Sequence, residues 1–325
     1  MNIAIIGAGL IGRKRAKALP KDVNLSIVCD VNERRALEFA RDFRCDSEKS
    51  WKKVVRNPKI QAVIISTTNK FLSPIAVSAI LQGKHVLIEK PGSRNIKELQ
   101  KISKAYHKAK VIVMFGYNHR YHPSIIKAKN LIDSKKFGKI LFIRAKYGHG
   151  GRLGYEKEWR FNKTISGGGE LLDQGSHLID LVNFFCGRMN NVVGLTSRLF
   201  WKSKVEDSAF FILNNKKGQV AQLSTTWVEW KNIFSLEIML KRAKIQIDSL
   251  GGSYGREKLT LYKMKPEMGP PDIEELLFDE SDISWENENR IFFERVRQKI
   301  YNDTSIKDAL YVLSIVEKLY RENSL

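Results

Sequence analysis

The chain has 325 residues, 43% of them hydrophobic and 28% charged, a composition that excludes bulk disorder. No apolar run reaches the roughly 18 residues of a membrane span. The N-terminus opens at once on the apolar run 3–6 rather than on a basic-then-apolar leader. The net charge is +21, from 56 Lys and Arg against 35 Asp and Glu. These bases are scattered, with short clusters such as Arg13-Lys14-Arg15 and Lys135-Lys136, and no nucleic-acid-binding motif accompanies them. The expectation is therefore no nucleic-acid partner, and a positive field that favours anionic small molecules. Cys29, Cys45 and Cys186 are odd in number and widely spaced, which predicts neither a disulfide framework nor a metal pattern and points to a reducing, cytoplasmic setting.

Strand and helix alternate through the first part. Strands are predicted at 2–6, 25–29, 62–65, 85–88 and 111–115, with helices ending at Leu19 and spanning 32–43, 71–82 and 95–108. Short apolar strands between helices predict βαβ units and a buried parallel sheet, closing near residue 118. The second part reads as α+β. Helices are expected at 124–133, 170–185, 286–301 and 305–322, and strands at 140–147, 192–200, 209–213, 220–228, 234–240, 244–248 and 259–262. The expected architecture is α/β: a doubly wound parallel Rossmann sheet over 1–118, then an α+β domain with a large, mostly antiparallel sheet over 119–325. The last helix is a candidate to pack back on the first domain.

Gly7-Ala8-Gly9-Leu10-Ile11-Gly12 follows the first strand and opens a helix, and Asp30 ends the next strand, 21 residues after Gly9. This is the dinucleotide-binding context. Gly7 permits the tight turn, Gly9 lets the backbone approach a pyrophosphate, and Gly12 allows close helix–strand packing. The free N–H groups around Leu10 and Ile11 then face an anion at a helix N-terminus. Asp30 can accept from a ribose 2′-hydroxyl and repels a 2′-phosphate, which favours NAD over NADP. Arg34 or Arg13 would be the counterweights that admit NADP.

Glu89-Lys90-Pro91 closes the fourth strand. Further on stand Gly116-Tyr117-Asn118-His119-Arg120-Tyr121-His122-Pro123 and a run from Gly167-Gly168-Gly169 through Asp173 and His177 to Asp180. With the glycine loop, these motifs resemble, in order and spacing, the Gfo/Idh/MocA (glucose–fructose oxidoreductase / inositol dehydrogenase) family. The likeness extends over most of the chain. It implies cofactor contacts from Ser66, Thr67, Asn69, Glu89 and Lys90, and substrate contacts from Asn118, Arg120, Trp159 and Arg160. It also implies a sugar, cyclitol or nucleotide-linked sugar as substrate, and a homodimer or homotetramer built on the exposed face of the large sheet. The chain departs from the family pattern after the third strand, where Thr68 and Leu72 stand in place of Pro and His.

Oxidising a secondary alcohol with a nicotinamide moves a hydride from carbon and a proton from oxygen. His177 suits the proton, because its ordinary pKa lies near neutrality. Asp173, four residues earlier, would share its helical face. Lys90, at the carboxyl end of a parallel strand, could set positive charge beside an alkoxide. Arg152 and Arg160 could hold an anionic oxygen, and the Gly150-Gly151 and Gly154 loop could bring backbone N–H groups to it. His119 and His122 read as junction packing, His85 and His107 as structural, and no histidine spacing predicts a metal. The expected function is an NAD(P)-dependent oxidoreductase acting on a sugar, nucleotide-linked or anionic by preference. A neutral polyol dehydrogenase and a non-catalytic redox sensor are the alternatives.

Overall fold

Six strands form a parallel sheet in the computed structural model, which describes residues 1–279 and 281–323. They are β1 (Asn2–Ile6), β2 (Asn24–Cys29), β3 (Asp46–Glu48), β4 (Ala62–Ile65), β5 (His85–Glu89) and β6 (Val113–Gly116), in the order β3-β2-β1-β4-β5-β6. That is the doubly wound order, and the sequence reverses direction across the sheet between β1 and β4. The central strands carry Ile3, Ile5, Val63, Ile64, Leu87 and Ile88 with no exposed surface, as a sheet covered on both faces demands. Each such aliphatic side chain contributes roughly 1.5–3 kcal/mol by burial. The sequence reading missed β3 and the helix Trp51–Arg56. β3 is an Asp-Ser-Glu edge segment with no apolar signal.

Eight strands form the second sheet: β7 (Ile140–Gly148), β8 (Asn191–Ser197), β9 (Ser208–Asn214), β10 (Val220–Thr226), β11 (Ile233–Leu240), β12 (Ala243–Asp248), β13 (Lys258–Lys263) and β14 (Asp272–Leu277). Their order is β14-β13-β12-β11-β7-β10-β9-β8. All neighbours are antiparallel except β7 and β10. Side chains alternate strictly between the two faces of β11: Phe234, Leu236, Ile238 and Leu240 are buried, while the residues between them are not. β14 escaped the sequence reading because Asp-Ile-Glu-Glu-Leu-Leu is a largely exposed edge strand without that alternation. The expected helix over 170–185 is broken in two, a π-helical turn Leu171–Gly175 leading into the helix Ser176–Cys186.

The chain divides into two compact units. The first contains Met1–Tyr117, Thr164–Gly167 and Trp285–Leu313, and the second contains Asn118–Lys163, Gly168–Ser284 and the residues from Ser314 onward. In this division 285–313 group with the parallel sheet rather than with the second sheet. One tie is Arg15, on the helix Leu10–Lys17 and fully buried. Its Nε meets Oε1 of Glu89 at 2.6 Å, its Nη2 meets Oε2 of Glu288 at 2.6 Å, and its Nη1 donates to Oδ1 of Asn289 at 3.0 Å. Trp285 lies against the guanidinium, 4.7 Å from ring centroid to Cζ. Burial works against the charge, but the two carboxylates outweigh it and raise the Arg15 pKa. A buried arginine needs such partners, and two of them come from the C-terminal stretch.

Candidate active site

Each glycine of the first loop meets a different constraint. Gly7 has φ +110°, and a Cβ there would fall 2.5 Å from the carbonyl oxygen of Ser66. A Cβ on Gly12 would collide with the carbonyl oxygen of Gly7. Gly9, the N-cap of the helix Leu10–Lys17, has no atom within 4 Å of its would-be Cβ. The loop is thus closed where it packs and open where a phosphate would approach the helix N-terminus, so these residues fit a dinucleotide. Leu10 is exposed beside that opening.

Asp30 is buried at the end of β2, its Oδ2 accepting from Ala8 N at 2.9 Å and its Oδ1 from Asn32 N at 2.9 Å. The carboxylate is therefore braced against the glycine loop. Neither arginine singled out in the sequence stands beside it: Arg13 pairs with Asp42 at 2.6 Å and Arg34 with Glu38 at 2.9 Å. Arg35 does, with Nη1 3.6 Å from Oδ2 of Asp30. Its signal was hidden among adjacent basic residues.

Several residues after β4 and at the end of β5 make hydrogen bonds within the first unit. Ser66 Oγ donates to the Gly7 carbonyl at 2.9 Å, and Asn69 Nδ2 to the Ser166 carbonyl at 2.8 Å. Thr67 Oγ1 lies 3.3 Å from the Thr68 carbonyl. Glu89, expected at the cofactor, turns its carboxylate to Arg15. Lys90 follows at the strand end, half-buried, and precedes a cis bond to Pro91.

In the second unit, His177 lies one residue into the helix Ser176–Cys186 and is buried. Its ring stacks on His119, centroids 3.8 Å apart and planes at 23°. Tyr147 of β7 presents its ring to both, at 5.0 Å from His119 and 6.1 Å from His177. Burial pushes the phenol of Tyr254, next to Tyr147, up to about 12, and that of Tyr147 well above its ordinary value, so both stay neutral. Asp173 occupies the π-turn, a wider turn than an α-helix and one frequent at functional sites. Arg160 Nε donates to its Oδ2 at 2.9 Å. Burial opposes the Arg160 charge, but Asp173 and its neighbours hold its pKa above the ordinary value.

Several expected substrate contacts are differently engaged. Arg120 makes a two-pronged pair with buried Asp180, at 2.7 and 2.5 Å. Arg160 also meets Glu158 at 3.1 Å, and Arg152 pairs with the same Glu158. Asn118 donates to Ser284 Oγ at 2.8 Å. Trp159 is half-buried beneath the Arg160 guanidinium, 4.9 Å away. The loop glycines are spacers. A Cβ on Gly151 would strike the ring of Trp201 at 2.7 Å, and one on Gly150 would press on the Trp230 backbone at 3.0 Å. Gly168 and Gly169 leave no room against Tyr320 and the Glu206 carbonyl. Sequence reasoning missed His119 as a partner of His177, because 58 residues separate them and nothing local pairs them.

Comparison with known proteins gives the family and the fold. A model of an oxidoreductase family with an NAD-binding Rossmann fold matches residues 1–117, and a GFO/IDH/MocA C-terminal domain model matches residues 125–246. Levoglucosan dehydrogenase of Pseudarthrobacter phenanthrenivorans is 29% identical over 213 residues, 61% of this chain and 54% of that protein. Myo-inositol 2-dehydrogenase of Thermotoga maritima is 26% identical over 238 residues, 70% of this chain and 68% of that protein. The match spans about half the length of the first curated relatives. A solved structure of levoglucosan dehydrogenase in complex with NADH and L-sorbose superposes with a TM-score of 0.89 at 22% identity, covering 99% of this chain and 97% of that one, which shows the fold. With both halves matched by models of one family, in the order of its two domains, the chain belongs to the Gfo/Idh/MocA oxidoreductase family.

Proposed function

We propose that this chain is an NAD-dependent oxidoreductase that moves a hydride between nicotinamide and a secondary alcohol or ketone carbon of a sugar or cyclitol. The observation that carries the cofactor half is the glycine loop, blocked at Gly7 and Gly12 and open at Gly9. The nicotinamide, when bound, supplies the hydride acceptor or donor. The N–H groups at the start of the helix Leu10–Lys17 would hold the pyrophosphate, and Asp30 the adenosine ribose. His177 accepts the alcohol proton, and Asp173, charge-balanced by Arg160, supports it. Lys90 is the proposed stabiliser of negative charge on the substrate oxygen. The names of the relatives, dehydrogenases of levoglucosan, myo-inositol and glucose 6-phosphate, support a polyhydroxylated ring as substrate.

The pairing of the arginines favours the uncharged ring within that class. Arg152, Glu158, Arg160 and Asp173 alternate in sign and balance, so neither arginine offers uncompensated charge to a phosphate. An assembly of identical chains through the open face of the second sheet is proposed as well. That face carries Val193, Leu195, Phe210 and Ile212 exposed, beside a groove of about 590 Å³ that none of the proton-handling residues lines. No helix among the described residues is long and apolar enough to cross a membrane.

A screen of sugars, inositols and nucleotide sugars with NAD, followed by nicotinamide absorbance, tests the activity. Turnover of a neutral ring with little dependence on salt is expected. A steep loss of kcat/KM from low to physiological salt would restore the anionic substrate. Binding of NAD with no turnover on any of them would leave a redox sensor.

A further inference from the structure

We propose that Phe200 and Trp230 form an outer subsite that stacks a sugar ring linked to the ring presented to His177, so that the preferred substrate carries at least two rings; this rests on the proposed placing of the inner ring at His177. Three loops meet at one end of the second sheet: residues 149–154 after β7, 198–207 between β8 and β9, and 227–232 between β10 and β11. The register sets Gly148, Ser197, Ser208, Thr226 and Ile233 side by side there. Tyr147, whose ring stands edge-on to His177, lies at that same end of β7. Trp230 is 81% exposed and Phe200 54%. Their rings are 5.6 Å apart at 81°, a corner with one wall from each loop. The electron-rich face of an aromatic ring attracts the C–H groups on the flat side of a sugar ring, and the hydroxyls are left to polar neighbours.

The exposure of these rings is built into the loops. The buried Asp207 carboxylate accepts from the N–H groups of Leu199 at 3.0 Å, Phe200 at 2.9 Å and Trp201 at 2.9 Å, and from Ser208 Oγ at 2.9 Å. Trp201 Nε1 donates to the Trp227 carbonyl at 3.0 Å. Trp230 is the middle of a tight turn in which Lys231 N donates to the Glu229 carbonyl, and its φ of +43° is one that a bulky residue takes only at a cost. A firm scaffold that keeps two large rings in water marks a ligand surface. That surface is continuous with the proposed site. Glu206, the neighbour of Asp207, accepts from Gly169 N and Leu171 N and so fixes the start of the π-turn bearing Asp173. Trp201 meets Tyr155 at 5.7 Å, and Tyr155 lies under Arg152 at 5.5 Å, where the Arg152–Glu158–Arg160–Asp173 series begins. The flanks disfavour a second copy of the chain as occupant. Arg198, Lys202, Lys204 and Lys231 are exposed in the two loops that bear the rings, whereas Glu206 and Asp207 are buried. A two-fold contact would bring the same cations face to face. As hydrogen-bond donors they suit sugar hydroxyls.

The test is calorimetric titration of the full chain, in the presence of NADH, with glucose and galactose and with the two-ring sugars cellobiose, maltose, lactose and melibiose. At least one two-ring sugar should bind more tightly than either of its component rings, by about tenfold or more. Trp230→Ala and Phe200→Ala should each remove most of that advantage, and Trp230→Phe, which keeps a ring, should retain it. A folding failure in one alanine variant leaves the other. An advantage that persists in both alanine variants, or the lack of any two-ring sugar that outbinds its components, overturns the proposal. Sedimentation velocity on the same proteins covers the other occupant: an assembly that falls apart in Trp230→Ala while sugar affinity stays the same also overturns it. The titration needs no turnover. Two-ring sugars held at this corner but never oxidised would remove the enzymatic reading and keep the subsite, whereas single rings oxidised with no gain from a second would do the reverse.

Discussion

Arg160 donates its Nε to Oδ2 of Asp173 at 2.9 Å, and this one bond ties the loop carrying Arg152 and Trp159 to the π-turn that precedes His177. An arginine expected to bind substrate directly is thus placed to hold the carboxylate proposed to support the proton acceptor. His177→Ala is expected to lower turnover by roughly 10²–10⁴, the range of a positioned acid–base group, with little change in NAD affinity. Asp173→Asn and Arg160→Ala should fall between that variant and wild type, and the double variant should show strongly non-additive losses. Steady-state kinetics on the best substrate from the screen measures all four, and additive losses would separate Arg160 from Asp173.

Gly9 and Gly12 should respond differently to alanine. Gly9→Ala has space for its methyl and φ −74°, so folding should survive while NAD affinity falls, because the added group stands where the phosphate would approach. Gly12→Ala meets the Gly7 carbonyl and should lower the melting temperature as well. Calorimetric NAD binding beside thermal denaturation separates the two effects.

The Arg15–Glu89 pair should matter to stability out of proportion to its size. Removing one partner strands a buried charge, so Arg15→Met is expected to cost about 3–5 kcal/mol. Lys90→Ala, at a half-buried strand end, should cost far less while reducing turnover by a factor of roughly 10²–10⁴. Denaturant unfolding followed by far-UV circular dichroism gives the comparison.

Cofactor preference should depend on two residues rather than one. Asp30 favours NAD over NADP by an amount on the order of 1–3 kcal/mol. Arg35, 3.6 Å from Asp30, partly offsets this. Arg35→Ala should weaken NADP binding further and leave NAD binding nearly unchanged. Fluorescence titration with both nucleotides checks it, and equal losses for the two would remove Arg35 from the discrimination.

Glu206 supplies a pH dependence whose sign can be worked out. Burial raises its pKa above the ordinary 4.5, against the opposing pull of Tyr320 and the Gly169 and Leu171 amides. The folded state then binds its proton more tightly than the unfolded state. The stabilisation is complete below about 4.5 and is lost as pH rises through the raised value. Glu206→Gln keeps an oxygen for Tyr320 Oη, Gly169 N and Leu171 N but does not titrate. Its melting temperature relative to wild type should climb between acidic and neutral pH, by about 2–4 °C for each kcal/mol recovered. A difference that is flat with pH would place the Glu206 proton elsewhere.

The parallel sheet was legible in the sequence because its strands are buried on both faces and read as unbroken apolar runs such as Ala62–Ile65. The glycine loop was legible because Gly7 and Gly12 have steric reasons that no other residue meets, while Gly9 stands open where a phosphate would approach. The short edge strands were not, since Asp46–Glu48 and Asp272–Leu277 face water and carry no pattern. Site residues divided along similar lines. Asp173 and His177 announce themselves by local spacing. The pairings Arg15–Glu288 and His119–His177 depend on contacts across hundreds or tens of residues. Arg120 and Arg160 are cations whose partners, Asp180 and Asp173, the spacing did not name.

The return of Trp285–Leu313 to the first unit has a consequence for how the polypeptide is made. The segment bearing the glycine loop leaves the ribosome long before this stretch, yet Arg15 lacks Glu288 and Asn289 until most of the 325 residues have been translated. Domains usually fold in the order of synthesis. Here the nucleotide-binding half must wait with a guanidinium only part-neutralised, while the later β-rich half can finish its sheet first. A stop codon just before Trp285 would therefore damage the earlier-made half of the chain, although every residue of the phosphate loop would still be present.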